Sequence, residues 1–383
     1  MDCINISIQG GIFMANNPQN YLIAGNDEHG INPPTIGKRT PMMPYINRQI
    51  YENEWNFAVK NVFLADCLRI GFYIFDVKPN RQDTSISNRV IAVNRAQPNC
   101  VVTFGYNAFG DPNTFSSPNG VEVFYSPLNI YPQRSQALSN NVYDEILSHT
   151  DLYGRGVKTL DVGMLSNVRT VATLIEAGFM TNFDEAKLML DPDHINDVGR
   201  ATCHGVCNYF DVDYVPIKDM TFPTLRIGSR GRFVRYLQFM LKIKGYAVGT
   251  VDGVFGTNTQ NAVRAFQQAN GLVDDGVVGR NTWYKLNNLY PTARVLKRGS
   301  YGEEVRYLQQ KLYSFLYPVG TIDGIFGTNT ENAVKEFQRE HGLSVDGVVG
   351  NNTWEMLQNR ANSRQLPTST QQNDSAQTST DVE

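Results

Sequence analysis

The sequence predicts an α/β domain, a sheet with helices packed on both faces, followed by two copies of a small three-helix module. Three observations predict it. Strand-like and helix-like segments alternate through residues 19–210, the pattern of a sheet covered by helices. Residues 223–360 contain one unit twice, which marks a tandem duplication. The chain has 383 residues, of which 41% are hydrophobic and 11% aromatic. That length suits two or three domains at one per ~150 residues, with enough apolar material for packed cores.

The elements of the first domain follow in order. Tyr21 to Ala24 is a short apolar run. Asn56 to Leu68 carries Phe57, Val59, Val62, Phe63, Ala65 and Cys67 at helical spacing. Phe72 to Val77 alternates as a strand, Ile86 to Ala96 reads as a helix, and Cys100 to Phe104 as a buried strand. Val121 to Tyr125 is another strand, Ser135 to Ser148 a helix, and Val171 to Glu176 a strand. Val198 to Phe210 reads as an apolar helix. It places Cys203 and Cys207 on one face, so the Cys203-His204-x-x-Cys207 cluster is read as core cysteine rather than a metal site. These boundaries put an extension at 1–18, the domain at 19–211 and a linker at 212–222.

The repeats are placed at 223–290 and 294–360. Gly228-Ser229-Arg230-Gly231 matches Gly299-Ser300-Tyr301-Gly302, and Val234, Leu237 and Gln238 match Val305, Leu308 and Gln309. Asp252-Gly253-Val254-Phe255-Gly256 matches Asp323-Gly324-Ile325-Phe326-Gly327, and Trp283 matches Trp354. The offset never changes, so no insertion separates the copies. The Asp-Gly and Phe-Gly pairs supply turns. Thr328 or Asn329 is expected to cap the middle helix of the second copy, and Asn352 or Thr353 the last. A unit this small has a small core, so Trp283 and Trp354 are read as core rather than ligand platform. The tail from Ala361 to Glu383 has almost nothing apolar and is expected to be disordered.

Charge and cysteine content narrow the partners. Lys+Arg of 34 against Asp+Glu of 37 gives a net charge of -3, which argues against nucleic acid or an anionic membrane as main partner. No run of ~20 apolar residues is present, so no membrane span is expected. Met1 to Gly25 lacks a basic region followed by an apolar run, so no secretory signal is expected. The five cysteines, Cys3, Cys67, Cys100, Cys203 and Cys207, suggest no disulfide framework and fit synthesis in the cytoplasm.

Both repeats resemble the type-1 peptidoglycan-binding domain, through the G-S-x-G opening, V-x-x-L-Q, D-G-x-F-G, A-V-x-x-F-Q and D-G-V-V-G-x-x-T-W. The first domain resembles the zinc-dependent N-acetylmuramoyl-L-alanine amidases of the third amidase family. The matching motifs are Gly25-Asn26-Asp27-Glu28-His29-Gly30; Glu52-Asn53-Glu54-Trp55-Asn56-Phe57-Ala58; Ser87-Asn88-Arg89 through Asn94-Arg95-Ala96; Gly120-Val121-Glu122-Val123-Phe124-Tyr125; and Leu174-Ile175-Glu176-Ala177-Gly178-Phe179-Met180-Thr181-Asn182. The resemblance implies a mixed sheet flanked by helices, of amidase/phosphorylase-like type, and one zinc ion.

Carried over residue by residue, the resemblance makes His29 and Glu52 metal ligands and Glu176 the catalytic general base and acid. Glu54 is the neighbouring alternative to Glu52, which the spacing to Asn56 and Phe57 disfavours. Asn107 aligns with a family position and is a candidate substrate contact. The third ligand of the family is a histidine, and Gly105 stands in its place. His149 before Gly154-Arg155-Gly156, His194 in an apparent surface loop, His204, His341, and the oxygens of Asp27 and Glu28 are the other donors available. Each of these is ordinarily a solvated group or part of a repeat.

Such an enzyme hydrolyses the amide between N-acetylmuramic acid and L-alanine, with a zinc-activated water and a glutamate as proton carrier. Two binding modules on one chain raise effective concentration at the wall. The expectation is therefore a peptidoglycan hydrolase held on bacterial cell wall, made in the cytoplasm and released to the wall or the extracellular space, as a lysin or autolysin would be, and monomeric. The alternative is a non-catalytic wall-binding protein whose metal site has decayed at Gly105. A glycosidase using Glu52 and Glu176 is disfavoured, because the surrounding motifs follow the amidase pattern.

Overall fold

The computed structural model describes residues 16–31, 38–288 and 295–367. The first domain runs β1 (Leu22–Asp27), α1 (Glu52–Ile70), β2 (Tyr73–Asp76), α2 (Ile86–Ala96), β3 (Cys100–Asn107), β4 (Val121–Tyr125), α3 (Pro132–His149), β5 (Gly154–Thr159), α4 (Gly163–Ser166), β6 (Val171–Phe179), α5 (Phe183–Leu188) and α6 (Pro192–Phe210). The strands form one sheet in the order β2-β1-β3-β6-β4-β5. β4 is antiparallel to β6 and all other neighbours are parallel, so the sheet is mixed. The parallel strands β1, β3 and β6 all end at one edge, where open α/β sheets carry their ligands.

Each face of the sheet has its own core. On one, α1, α3 and α6 bury Phe63, Leu64, Val142 and Val206 against Val102, Phe104 and Ile175 of the strands. On the other, α2 and α4 bury Val93, Met164 and Leu165 against Ala24, Val101 and Ala172. A Cβ at Gly205 would lie 2.6 Å from the Val142 Cα, so only glycine allows α6 to approach α3 this closely. Cys203 and Cys207 are buried in that helix, and Cys67, Cys100, Cys203 and Cys207 are free thiols. Cys3 lies outside the described residues.

Two histidines are placed differently from the sequence expectation. His194 is in the first turn of α6, not in a surface loop, and is 1% exposed. Asp191 accepts the Asp193 N–H as N-cap and Pro192 occupies the first turn, so the Asp-Pro-Asp segment starts a helix. His149 closes α3 rather than sitting in a loop. Gly154–Thr159, to which the sequence reading assigns no element, is the edge strand β5.

Burial, and then the charge of Arg360, lower the His194 pKa to about 3. The unfolded chain takes up this proton near pH 6.5, whereas the folded one resists it until about pH 3. Stability is therefore lost as pH falls below about 6.5, because the unfolded state binds more protons. The expected loss between about pH 6.5 and 5 is about 2 kcal/mol. Urea midpoints measured across that range should show it, and His194→Met should flatten the slope.

The repeats hold α7 (Arg232–Ile243), α8 (Thr257–Ala269) and α9 (Arg280–Leu286), then α10 (Glu303–Ser314), α11 (Thr328–Glu340) and α12 (Asn351–Gln358). Trp283 and Trp354 are buried in their cores. The helices are not capped by Thr328, Asn329, Asn352 or Thr353. Gly327 and Gly350 are the N-cap residues and offer no side chain. A buried glutamine organises each Asp-Gly turn instead. Gln309 donates to Asp323 Oδ1, the Ile325 carbonyl and Thr330 Oγ1 while accepting the Gly324 N–H. Gln238 makes the matching contacts with Asp252, Val254, Thr259 and Gly253.

Both modules dock on the first domain. Val212 and Ile217 of the connecting segment are buried, and Arg232 donates to the Ile70 carbonyl at 2.9 Å. The second module is tied to the start of α6. Lys311 pairs with Asp191 and Asp193, both at 3.0 Å, and Arg360 pairs with Asp191 at 2.9 Å. The described start of the tail is docked as well, with Arg364 paired to Glu336 and Glu340 and Lys187 donating to Ser363. The rest of the tail, 368–383, and the extension up to residue 15 lie outside the described residues.

Asp191→Ala leaves the buried Lys311 without one of its two carboxylates. Removing one partner of a buried ion pair typically costs about 3–5 kcal/mol, so a lowered urea midpoint is expected. Asp191→Leu with Lys311→Met should recover much of the loss, because it leaves no buried charge in that pair.

Candidate metal centre

The site forms where β1, β3 and β6 end. β1 finishes at Asp27, which is buried and paired with Lys60 at 2.7 Å and Lys78 at 2.8 Å. Lys60 also pairs with Asp76 at 2.8 Å. Arg89 donates to the Asp27 carbonyl at 2.7 Å. Two asparagines on the first turns of α1 then fix the turn that follows. Asn53 donates to the His29 carbonyl at 3.1 Å and Asn56 to the Glu28 carbonyl at 3.3 Å. Lys78 also donates to the His29 carbonyl.

His29 itself has φ +56°, a left-handed conformation that histidine adopts more readily than most residues but at some cost. Successive side chains on a strand point to opposite faces. The turn breaks that alternation, so Glu28 and His29 both reach the same centre. Donor atoms of Glu28, His29 and Glu52 all lie within 4.8 Å of one another.

Glu52 opens α1 and is 2% exposed. Its Oε1 accepts the Tyr106 N–H and the Asn56 amide, both at 3.1 Å. Its Oε2 lies 3.5 Å from His29 Nε2. Glu54 has a separate task. It accepts the Tyr51 N–H at 2.9 Å and pairs with Arg48 at 2.7 Å, which caps the helix.

Glu176 stands on β6 directly opposite Gly105 of β3 and Glu122 of β4. Its Oε2 is buried with no hydrogen-bond partner. Burial, and then the charges of Glu28 and Glu52, push its pKa well above the ordinary carboxylate range. Burial and the Glu52 charge likewise raise Glu28 to about 7. Glu122 differs, because Lys158 and Arg155 outweigh its burial and lower its pKa. Among the described residues no lysine or arginine forms an ion pair with Glu28, Glu52 or Glu176.

His29 and Glu52 therefore face one another, and Glu176 stands beside Glu28 across the Gly105 position. Asn107 sits at the end of β3 on the same edge, with its Oδ1 accepting the Ala108 N–H at 2.7 Å. The remaining histidines stay away from this centre. His149 and His204 group with Glu145, His194 packs near Trp55, and His341 lies in the second repeat against Phe337. Asp27 is committed to its two lysines. Glu28 is the additional residue that the fold brings in. A cleft of about 150 Å³ opens beside Glu28 and His29, walled by Asp83–Ile86, Arg89, Val162 and Met164.

The strand ends of this mixed α/β sheet gather one imidazole and three carboxylates, of which Glu28, His29 and Glu52 offer donor atoms close enough together to hold a metal ion. Residues 33–208 match the N-acetylmuramoyl-L-alanine amidase family, and residues 230–286 and 301–357 each match the peptidoglycan binding domain. The amidase family is generally zinc-dependent.

The chain is 40% identical over 110 residues to the N-acetylmuramoyl-L-alanine amidase CwlM of Mycobacterium tuberculosis, covering 27% of each chain. It is 33% identical over 156 residues to the amidase CwlL of Bacillus licheniformis, covering 34% of this chain and 43% of that one. The matches thus span less than half the length of these curated relatives. The catalytic domain of the amidase CwlV from Bacillus (Paenibacillus) polymyxa superposes with a TM-score of 0.43 and 21% identity, over 50% of this chain and 99% of that one. Among the described residues no helix is long and apolar enough to cross a membrane.

Proposed function

We propose that this chain is a peptidoglycan hydrolase that cleaves the amide between N-acetylmuramic acid and L-alanine, acting at the bacterial cell wall or outside the cell. The observation that carries the reading is the placement of His29, Glu52 and Glu176 at the strand ends of a domain that matches the amidase family. The donor set fits a metal ion. His29 Nδ1 and Glu176 Oε2 are buried without partners, and unpaired buried polar groups are costly unless something completes them.

In this reading His29 and Glu52 hold one zinc ion. When bound there, such an ion would supply Lewis acidity toward the scissile carbonyl and the attacking water. The protein's own residues do the rest. Glu176, raised in pKa by its burial, takes the proton of the attacking water and passes it to the leaving amine of L-alanine. Tyr106 N–H and Asn56 fix the orientation of Glu52. Asn107, on the same edge, is the candidate substrate contact. The two repeats keep the domain on its polymeric substrate, so binding and cleavage occur on one chain.

The second reading, a wall-binding protein without activity, is favoured by Gly105, which offers no side chain where the family's third ligand would stand. Purified peptidoglycan incubated with the protein separates the two. Release of peptides with new L-alanine amino termini, and no new reducing sugar ends, supports the amidase. Sedimentation with the wall and no released peptide supports the second reading.

A further inference from the structure

The space beside Gly105 is filled. A Cβ built there would lie 3.0 Å from Glu28 Oε2 and 3.0 Å from Glu176 Oε1, closer than such contacts ordinarily run. A side chain at 105 would compete for space with the Glu28 carboxylate on one side and with that of Glu176 on the other. We propose that Glu28, with His29 and Glu52, is the third protein ligand of a single oxygen-rich divalent-cation site, and that position 105 is glycine because the Glu28 carboxylate occupies its side-chain space. This assignment rests on the metal-dependent reading above and adds a ligand to it.

Two further observations support it. Glu52 is 2% exposed and turns its Oε2 toward His29 with no N–H donor on that oxygen. Three carboxylates and one imidazole share the pocket; Lys60 and Lys78 pair with Asp27 and Asp76, and the charges of Lys38 and Arg89 reach Glu28 without forming an ion pair with it. A bound cation would offset the repulsion among these carboxylates. The backbone turn at His29 is held by Asn53 and Asn56, so the Glu28 backbone is fixed before any ion arrives.

Replacing an imidazole by a carboxylate has a chemical consequence. Imidazole suits zinc, whereas carboxylates also suit harder ions such as manganese. The site should therefore discriminate less between Zn²⁺ and Mn²⁺ than one with a second imidazole.

The test is calorimetric titration of the full chain with Zn²⁺ and with Mn²⁺, for wild type, Glu28→Gln, Glu28→Asp and the pair Glu28→Ala with Gly105→His. The wild type is expected to bind one ion. Glu28→Gln should weaken binding by at least about 100-fold, beyond the 10–100-fold typical of residues that only orient a ligand. Glu28→Asp keeps the charge and should lie between. The paired variant should restore zinc binding and widen the preference for Zn²⁺ over Mn²⁺ by about tenfold or more. Thermal melts of the metal-free proteins check that each variant folds.

Unchanged affinity in Glu28→Gln overturns the assignment and leaves the hydrolase reading standing. Failure of the wild type to bind either ion also overturns it. A wild type that binds the ion through Glu28 yet releases no peptide from wall overturns the hydrolase reading and leaves this assignment in place.

Discussion

Glu176→Gln is expected to lower peptide release from purified wall by about 10²–10⁴-fold, the usual contribution of a positioned proton carrier. The amide keeps the shape of the carboxylate but cannot take a proton from water or return one to an amine. Two controls should not move with it. Sedimentation with wall should be unchanged, because the binding repeats lie elsewhere on the chain. Thermal stability should hold or rise, because glutamine has the same shape and brings no ionisable group into a buried pocket that disfavours the charged form of Glu176. Release within a few-fold of wild type would remove Glu176 from the mechanism. A parallel fall in stability would mean that the side chain is structural. Only loss of release with intact folding and wall binding fits a proton carrier.

Much of the scaffold was legible because local signals and tertiary structure agree. α2 begins and ends at the predicted Ile86 and Ala96, with Ser85 capping it and Val93 turned to the core. The repeats were legible for a stronger reason: two copies of one pattern constrain each other. Where the reading missed, the residues carry two meanings. Asp191-Pro192-Asp193 reads as a turn, yet an aspartate before a proline is also a helix start, and the long apolar face of α6 decides between them. Gly154–Thr159 contains two glycines and lies at the sheet edge, so it shows little of the alternation that marks a buried strand.

The placement of His29, Glu52 and Glu176 at the strand ends was legible through their motifs. Glu28 was among the further donors the sequence offered, but nothing there singled it out from Asp27, since adjacent residues after a strand are expected to diverge. A positive φ at His29 reverses that expectation. No residue type in the motif announces it, because the turn is imposed by Asn53 and Asn56 from a helix more than twenty residues away.

Those supports lead to the second large effect. Lys60→Met is expected to destabilise the protein by about 3–5 kcal/mol, the usual cost of leaving a buried charge without its partner. Lys60 and Asp27 are both 0% exposed, and Lys60 bridges Asp27 of β1 and Asp76 of β2. Methionine fills similar volume, so the loss measures charge rather than a cavity. Lys78 remains on Asp27 but cannot also neutralise Asp76, which burial already drives toward protonation. Denaturant unfolding should show a lower midpoint with an unchanged slope. Adding Asp76→Asn should return part of the loss, because the carboxylate left without a partner is then neutral. The same pairs secure the end of β1, from which Glu28 and His29 project. Lys60→Met should therefore also weaken ion binding, although Lys60 touches none of the donor atoms. A variant that loses stability but binds the ion as wild type would show that Asn53 and Asn56 alone set the turn.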